Sequence, residues 1–161
     1  MAVFTEVSIA EAQHLVKRLN LGHVQALRGI KAGIENTNYF LQTDQGEWVL
    51  TVFERLSFEQ LPFYLRLMQH LARRGIAVPE PKADATGEIL HRLQGKPAAV
   101  VDKLAGGHQL APDLFHCEQV GAELARMHLA AQDFPLSQPN LRGLAWWTET
   151  VPVVLPYLSA E

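Results

Sequence analysis

R-G-I-K-A-G-I-E-N-T-N-Y-F, residues 28–40, is the stretch on which the reading of this chain turns. It lies between two segments of strand character and carries small residues, Gly29 and Gly33, that let backbone approach a ligand closely. Asn36 and Asn38 tolerate left-handed geometry and offer amide hydrogen bonds. A strand–loop–strand of this kind can lie over the phosphates of a nucleotide through its backbone N–H groups. The same residues also suit an ordinary hairpin with a long loop, and a glycine pair short of G-x-G-x-x-G does not decide between the two.

Upstream of that stretch, Ser8 and Glu11 form an S-x-x-E capping box, followed by Ala12, Leu15, Val16 and Leu19 at helical spacing. Asn20 and Gly22 stop this helix. The chain then predicts a strand over 24–30, a loop over 31–38, and a hairpin of 39–43 and 47–53 across a T-D-Q-G turn. In its second arm Trp48, Leu50 and Val52 point one way and Val49, Thr51 and Phe53 the other, so that strand is expected to be covered on both faces. A second helix begins near Pro62, carries Leu61, Tyr64, Leu65, Met68 and Leu71 as its buried stripe, and ends at Gly75. V-P-E-P (78–81) reads as a stiff connector, and strands are expected over 88–93 and 97–101 around a Gly95 turn. Helix, three strands, helix and two strands make an α+β arrangement.

The segment K-P-A-A-V-V-D-K-L-A-G-G (96–107) runs from a buried strand into a short linker and then a helical region. That is where a two-lobed kinase places the hinge that reads an adenine edge, with Val101 behind the pocket and Asp102, Lys103 and Leu104 as the hinge itself. A strand simply leaving its sheet fits equally well. Beyond it, a helix over 112–131 aligns Leu114, Cys117, Val120, Leu124 and His128, which predicts a packed core histidine at 128. The tail, 132–161, holds Pro135, Pro139, Pro152, Pro156 and Trp146-Trp147 without a clear period. Its V-P-V-V-L-P-Y-L run, still to be buried, reads as a chain interrupted rather than finished.

The bulk numbers narrow the function. The 161 residues are 48% apolar, enough for a real core, and 14 basic against 17 acidic residues give a net charge of −3. No basic stripe points to nucleic acid. The single cysteine, Cys117, rules out an internal disulfide and a cysteine-rich zinc site, and suits a reducing compartment. M-A-V-F-T-E-V-S-I-A-E-A-Q lacks the basic start of a signal peptide, and the longest apolar runs (98–101 and 151–158) are too short for a bilayer. A cytoplasmic protein with no membrane partner is expected. Phosphoryl transfer of the kinase type needs a carboxylate near the acceptor, and an Asn and an Asp to hold Mg²⁺. None of the seven histidines (14, 23, 70, 91, 108, 116, 128) is followed two residues later by Asp. Asp133-Phe134-Pro135 has some likeness to a metal-binding D-F-G, but no catalytic loop precedes it. There is no G-x-x-x-x-G-K-[ST] and no H-E-x-x-H.

Taken in order, G-I-E-N-T-N-Y-F (33–40), W-V-L-T-V-F-E (48–54), L-P-F-Y-L-R-L-M-Q-H-L-A (61–72), V-P-E-P (78–81), G-K-P-A-A-V-V (95–101), H-C-E-Q-V-G-A-E-L-A-R-M-H-L-A (116–130) and P-N-L-R-G-L-A-W-W (139–147) closely resemble the bacterial homoserine kinases of the aminoglycoside-phosphotransferase and choline-kinase superfamily. The resemblance covers nearly the whole chain. It implies a protein-kinase-like fold: residues 1–104 as a nucleotide-binding N-lobe with an antiparallel five-stranded sheet and a hinge at its end, and 105–161 as the start of a helical C-lobe. It also implies ATP, Mg²⁺ and transfer of the γ-phosphate to the L-homoserine hydroxyl in threonine biosynthesis. The flap would be Gly33, Glu35, Asn36, Thr37 and Asn38, and the hinge Val101, Asp102, Lys103 and Leu104. Thr51 stands where the wider superfamily carries a phosphate-contacting Lys or Arg, and a hydroxyl supplies no such charge. Lys31 or another base is then expected to compensate, with Glu59 the candidate for the usual carboxylate partner. The catalytic loop and metal ligands would lie beyond residue 161, leaving this chain without turnover. A sister kinase for another amino alcohol or sugar, or a non-catalytic nucleotide-binding module, stays open from the residues alone, as does the oligomeric state.

Overall fold

A computed structural model describes residues 3–107 and 109–158; His108 and the last three residues of the tail lie outside the described residues. The first helix, α1 (Ile9–Arg18), starts as its capping box predicts: the Glu11 amide donates to Ser8 Oγ at 3.2 Å, and the Ser8 amide donates to Glu11 Oε2 at 2.9 Å. It ends where Asn20 (φ 54°) and Gly22 (φ 87°) take left-handed conformations. β1 (Val24–Gly29), β2 (Asn36–Thr43) and β3 (Gly46–Phe53) follow, then α2 (Leu61–Arg73), β4 (His91–Leu93) and β5 (Lys96–Asp102). The strands form one sheet in the order β1-β2-β3-β5-β4 with every neighbouring pair antiparallel, the five-stranded α+β sheet expected.

The alternation read in β3 decides the layering. Leu50 and Val52, with Tyr39 and Leu41 of β2 and Ala98 and Val100 of β5, bury one sheet face against Ala12, Leu15 and Val16 of α1. On the other face, Phe53, Ala99 and Met68 pack with Leu65 of α2 and Ile89. The sheet is thus covered on both sides, and α2 lies over the face that carries Thr51.

Four local expectations are corrected. β2 begins at Asn36 rather than after Asn38, because Asn36, Thr37 and Asn38 pair with Phe53, Val52 and Thr51 of β3; the ladder overrides their weak strand propensity. β4 is only His91–Leu93, since the Glu88 carboxylate accepts from the Ile89 and Leu90 amides and holds 88–90 out of the ladder. The expected irregular tail contains a helix, α4 (Leu144–Val154), after α3 (Leu114–Ala130), and a 3₁₀ turn, Leu155–Tyr157. Pro152 lies inside α4, where it has no N–H to give the Thr148 carbonyl, and α4 ends two residues later at Val154. His128 is exposed rather than packed in a core, as is the rest of the stripe on α3, which has no buried residue. No helix among the described residues is long and apolar enough to cross a membrane.

Candidate nucleotide site

Between the α2 face of the sheet and the start of α2 lies a cavity of about 260 Å³. Phe53, Leu56, Leu61, Leu65, Met68, Ala99 and Val101 give it apolar walls, while Asn36, Asn38 and Thr51 bring polar atoms to one side. A flat apolar slot with few convergent polar groups is the usual form of a cofactor site. The strand period places its polar members: Asn36 and Asn38 are two apart on β2, and Thr51 faces Asn38 across the ladder. Thr51 Oγ1 donates to Asn38 Oδ1 at 2.7 Å, so a neutral hydroxyl–amide pair, and no charge, occupies this position on β3. Gly33 (φ 114°) lies against this pair, since a Cβ there would come within 3.7 Å of Asn38 Nδ2.

The register gives the cavity a direction. Trp48 pairs with Asp102 at one end of the β3–β5 ladder, and Phe53 pairs with Asn36 at the other end of β3. The hinge segment therefore leaves the sheet at the opposite end from the 30–35 loop. Val101 is buried in the cavity wall, but the side chains that follow turn away from it. Asp102 accepts from Lys82 Nζ at 2.6 Å, Lys103 Nζ donates to Glu47 Oε2 at 2.8 Å, and Leu104 is exposed. None of Asp102, Lys103 and Leu104 lines the cavity.

At the loop end, a second cavity of about 300 Å³ continues the first and shares Asn36, Leu56 and Tyr64 with it. Glu35, Arg55, Asn140, Leu141 and Arg142 complete its lining. The Arg142 guanidinium pairs with the Glu35 carboxylate, joining the loop to the segment before α4. Neither Arg55 nor Arg142 was singled out in the sequence; the one signal was an R next to the strand end and an R in the P-N-L-R-G-L segment.

Thr37 does not belong with its neighbours. It is fully buried on the α1 face, where Thr37 Oγ1 accepts from the Phe4 amide at 2.9 Å and the Thr5 amide at 3.1 Å and donates to Glu54 Oε1 at 2.6 Å. Thr5 Oγ1 donates to the same carboxylate at 2.7 Å, and Lys96 pairs with it. Burial opposes ionisation of Glu54, but the hydrogen bonds from Lys96, Thr37 and Thr5 outweigh it and lower its pKa. The alternation of β2 sends residue 37 to the face opposite 36 and 38, so its side chain is structural. Lys31 is exposed and lines neither cavity, and Glu59 is exposed in the turn before α2, its amide donating to Ser57 Oγ at 3.3 Å. Asp133 is engaged with Arg74 and His70, not set up as a metal ligand. Among the described residues no three His, Cys, Asp or Glu side chains gather as a metal site.

The family model described as "Phosphotransferase enzyme family" matches residues 26–161. The chain belongs to the phosphotransferase enzyme family. Within it, the chain is 67% identical to a homoserine kinase of Polaromonas naphthalenivorans (strain CJ2), over 100% of this chain and 51% of that protein. It is 57% identical to a homoserine kinase of Janthinobacterium sp. (strain Marseille), over 99% and 49% respectively. The chain thus spans about half the length of the curated relatives it matches. Its fold matches a crystal structure of a spectinomycin phosphotransferase in complex with ADP and spectinomycin, with a TM-score of 0.64 at 13% identity, covering 92% of this chain and 47% of that one. The five-stranded antiparallel sheet with its helices accordingly resembles the kinase-like N-lobe of an aminoglycoside phosphotransferase.

Proposed function

We propose that this chain is the ATP-binding part of a homoserine kinase, which transfers the γ-phosphate of ATP to the side-chain hydroxyl of L-homoserine in threonine biosynthesis, in the cytoplasm. The observation that carries the substrate is identity of 67% and 57% to homoserine kinases along essentially the entire chain. The geometry supports the nucleotide. An apolar slot walled by Phe53, Met68, Ala99 and Val101 suits a purine, and the chain leaves the sheet after Asp102 at the end away from the loop.

In this reading residues 1–104 are the nucleotide-binding lobe and 105–161 open a helical lobe. The absence of buried residues on α3 and α4, and relatives about twice as long, support that division. ATP supplies the transferred phosphoryl group; the residues here hold it in place. Val101 and Ala99 bound the base, and the loop around Gly33, Glu35, Asn36 and Asn38 covers the phosphates. Thr51 keeps Asn38 oriented through their hydrogen bond. Mg²⁺ would be held by side chains beyond residue 161, and would neutralise charge on the phosphates.

The test is a phosphorylation assay of the intact polypeptide with ATP and L-homoserine, choline or a sugar alcohol. ATP-dependent formation of phosphohomoserine is expected. Turnover of choline or a sugar in its place would refute the substrate, and turnover of homoserine by residues 1–161 alone would refute the division of labour.

A further inference from the structure

We infer that Arg55, and not a strand lysine, is the cation that receives the phosphate tail of the nucleotide, with Arg142 in the same cavity screening Glu35. This rests on the ATP-binding reading above and names the charge it lacks. At the strand position itself, Thr51 is neutral and engaged with Asn38. Lys31 is exposed and outside both cavities, and Lys96 is committed to Glu54, which is held by Thr37 and Thr5 from the α1 face. That leaves the phosphate position without a base from the strand, from Lys31 or from Lys96.

Arg55 follows β3 by two residues, beyond the Phe53–Asn36 end of the ladder. It lines the cavity that continues the apolar slot at the end away from the hinge, so a nucleotide seated with its base at Val101 extends its phosphates toward it. Among the described residues Arg142 is neutralised by Glu35, whereas Arg55 enters no ion pair. A guanidinium suits this place better than an ammonium, because its planar fork pairs with two phosphate oxygens at once. Glu35 in the same cavity repels a polyanion unless Arg142 screens it, so their pairing readies the pocket for a negative ligand.

The experiment measures binding of ATP and of adenosine to the intact polypeptide by calorimetry, with the wild type, Arg55→Gln and Arg55→Lys, and the KM for each substrate. Arg55 is exposed, and both variants are expected to fold. Arg55→Gln should weaken ATP about tenfold or more while leaving adenosine unchanged, as loss of one charge-assisted contact requires. Arg55→Lys should recover part of that loss, and the salt dependence of ATP binding should flatten in Arg55→Gln. An unchanged ratio of ATP to adenosine affinity overturns the inference while leaving the nucleotide reading intact. A rise in the KM for homoserine with ATP unmoved overturns it too, and gives Arg55 to the acceptor. A wild type that binds neither ATP nor adenosine sinks the nucleotide reading and the inference together.

Discussion

Thr37→Val removes one oxygen and nothing else of the residue's shape, and the structure gives a definite cost for it. Thr37 Oγ1 accepts from the Phe4 and Thr5 amides and donates to the Glu54 carboxylate. Thr5 is buried, so its amide loses its acceptor out of reach of water, at about 1–3 kcal/mol. Phe4 is exposed, and water can replace its lost acceptor for about 0.5 kcal/mol. Glu54 keeps Lys96 and Thr5 as partners, so losing one donor of three costs about 1 kcal/mol. The sum is roughly 3 kcal/mol, a large part of the stability of a domain of this size. Urea unfolding followed by tryptophan fluorescence should show the midpoint fall by about 1–2 M for a slope near 2 kcal/mol per M. ATP affinity measured well below the transition should not change, because the side chain faces α1 rather than the slot. A variant as stable as the wild type to within about 0.5 kcal/mol, or one that is stable but has lost ATP binding, would refute this assignment of Thr37.

Two further outcomes follow from single residues. His91 is buried with neither ring nitrogen hydrogen-bonded, and burial lowers its pKa from the usual 6.5. The unfolded chain therefore takes up the proton first, so the stability present above pH 6.5 is lost as pH falls through that value toward the depressed folded pKa. His91→Leu should raise stability by about 1 kcal/mol at pH 7 and flatten the decline between pH 7 and 5 in thermal melts; a less stable variant with the same pH slope would contradict it. Gly75 has φ 76° and no atom within 4 Å of a would-be Cβ, so Gly75→Ala should cost about 1 kcal/mol through backbone strain alone, and a neutral result in urea unfolding would show that the αL conformation is not required.

How much was legible depended on the range of the signal. The capping box of α1, the two-faced alternation of β3 and the left-handed stops at Gly22 and Gly75 are each written within a few residues, and each stands in the structure. Where a strand begins is not local: Asn36, Thr37 and Asn38 look like loop residues, and only pairing with Phe53, Val52 and Thr51 makes them strand. α4 has no helical period to read, because its polar residues, Thr148, Glu149 and Thr150, are consecutive and Pro152 follows them.

The sequence by itself determined the α+β order, the glycine-bearing loop after β1, the buried strand leading to Val101, and the lack of any charge at Thr51. Only the tertiary structure decided which side chains meet. It put Thr37 on the face opposite Asn36 and Asn38, a consequence of the two-residue strand period once the register was set. It also brought Glu35, Arg55, Tyr64 and Arg142 to one cavity from four separated parts of the chain. No periodicity along a chain encodes that meeting, because it depends on how a loop, a strand end, a helix and a distant segment pack around the same end of β2 and β3.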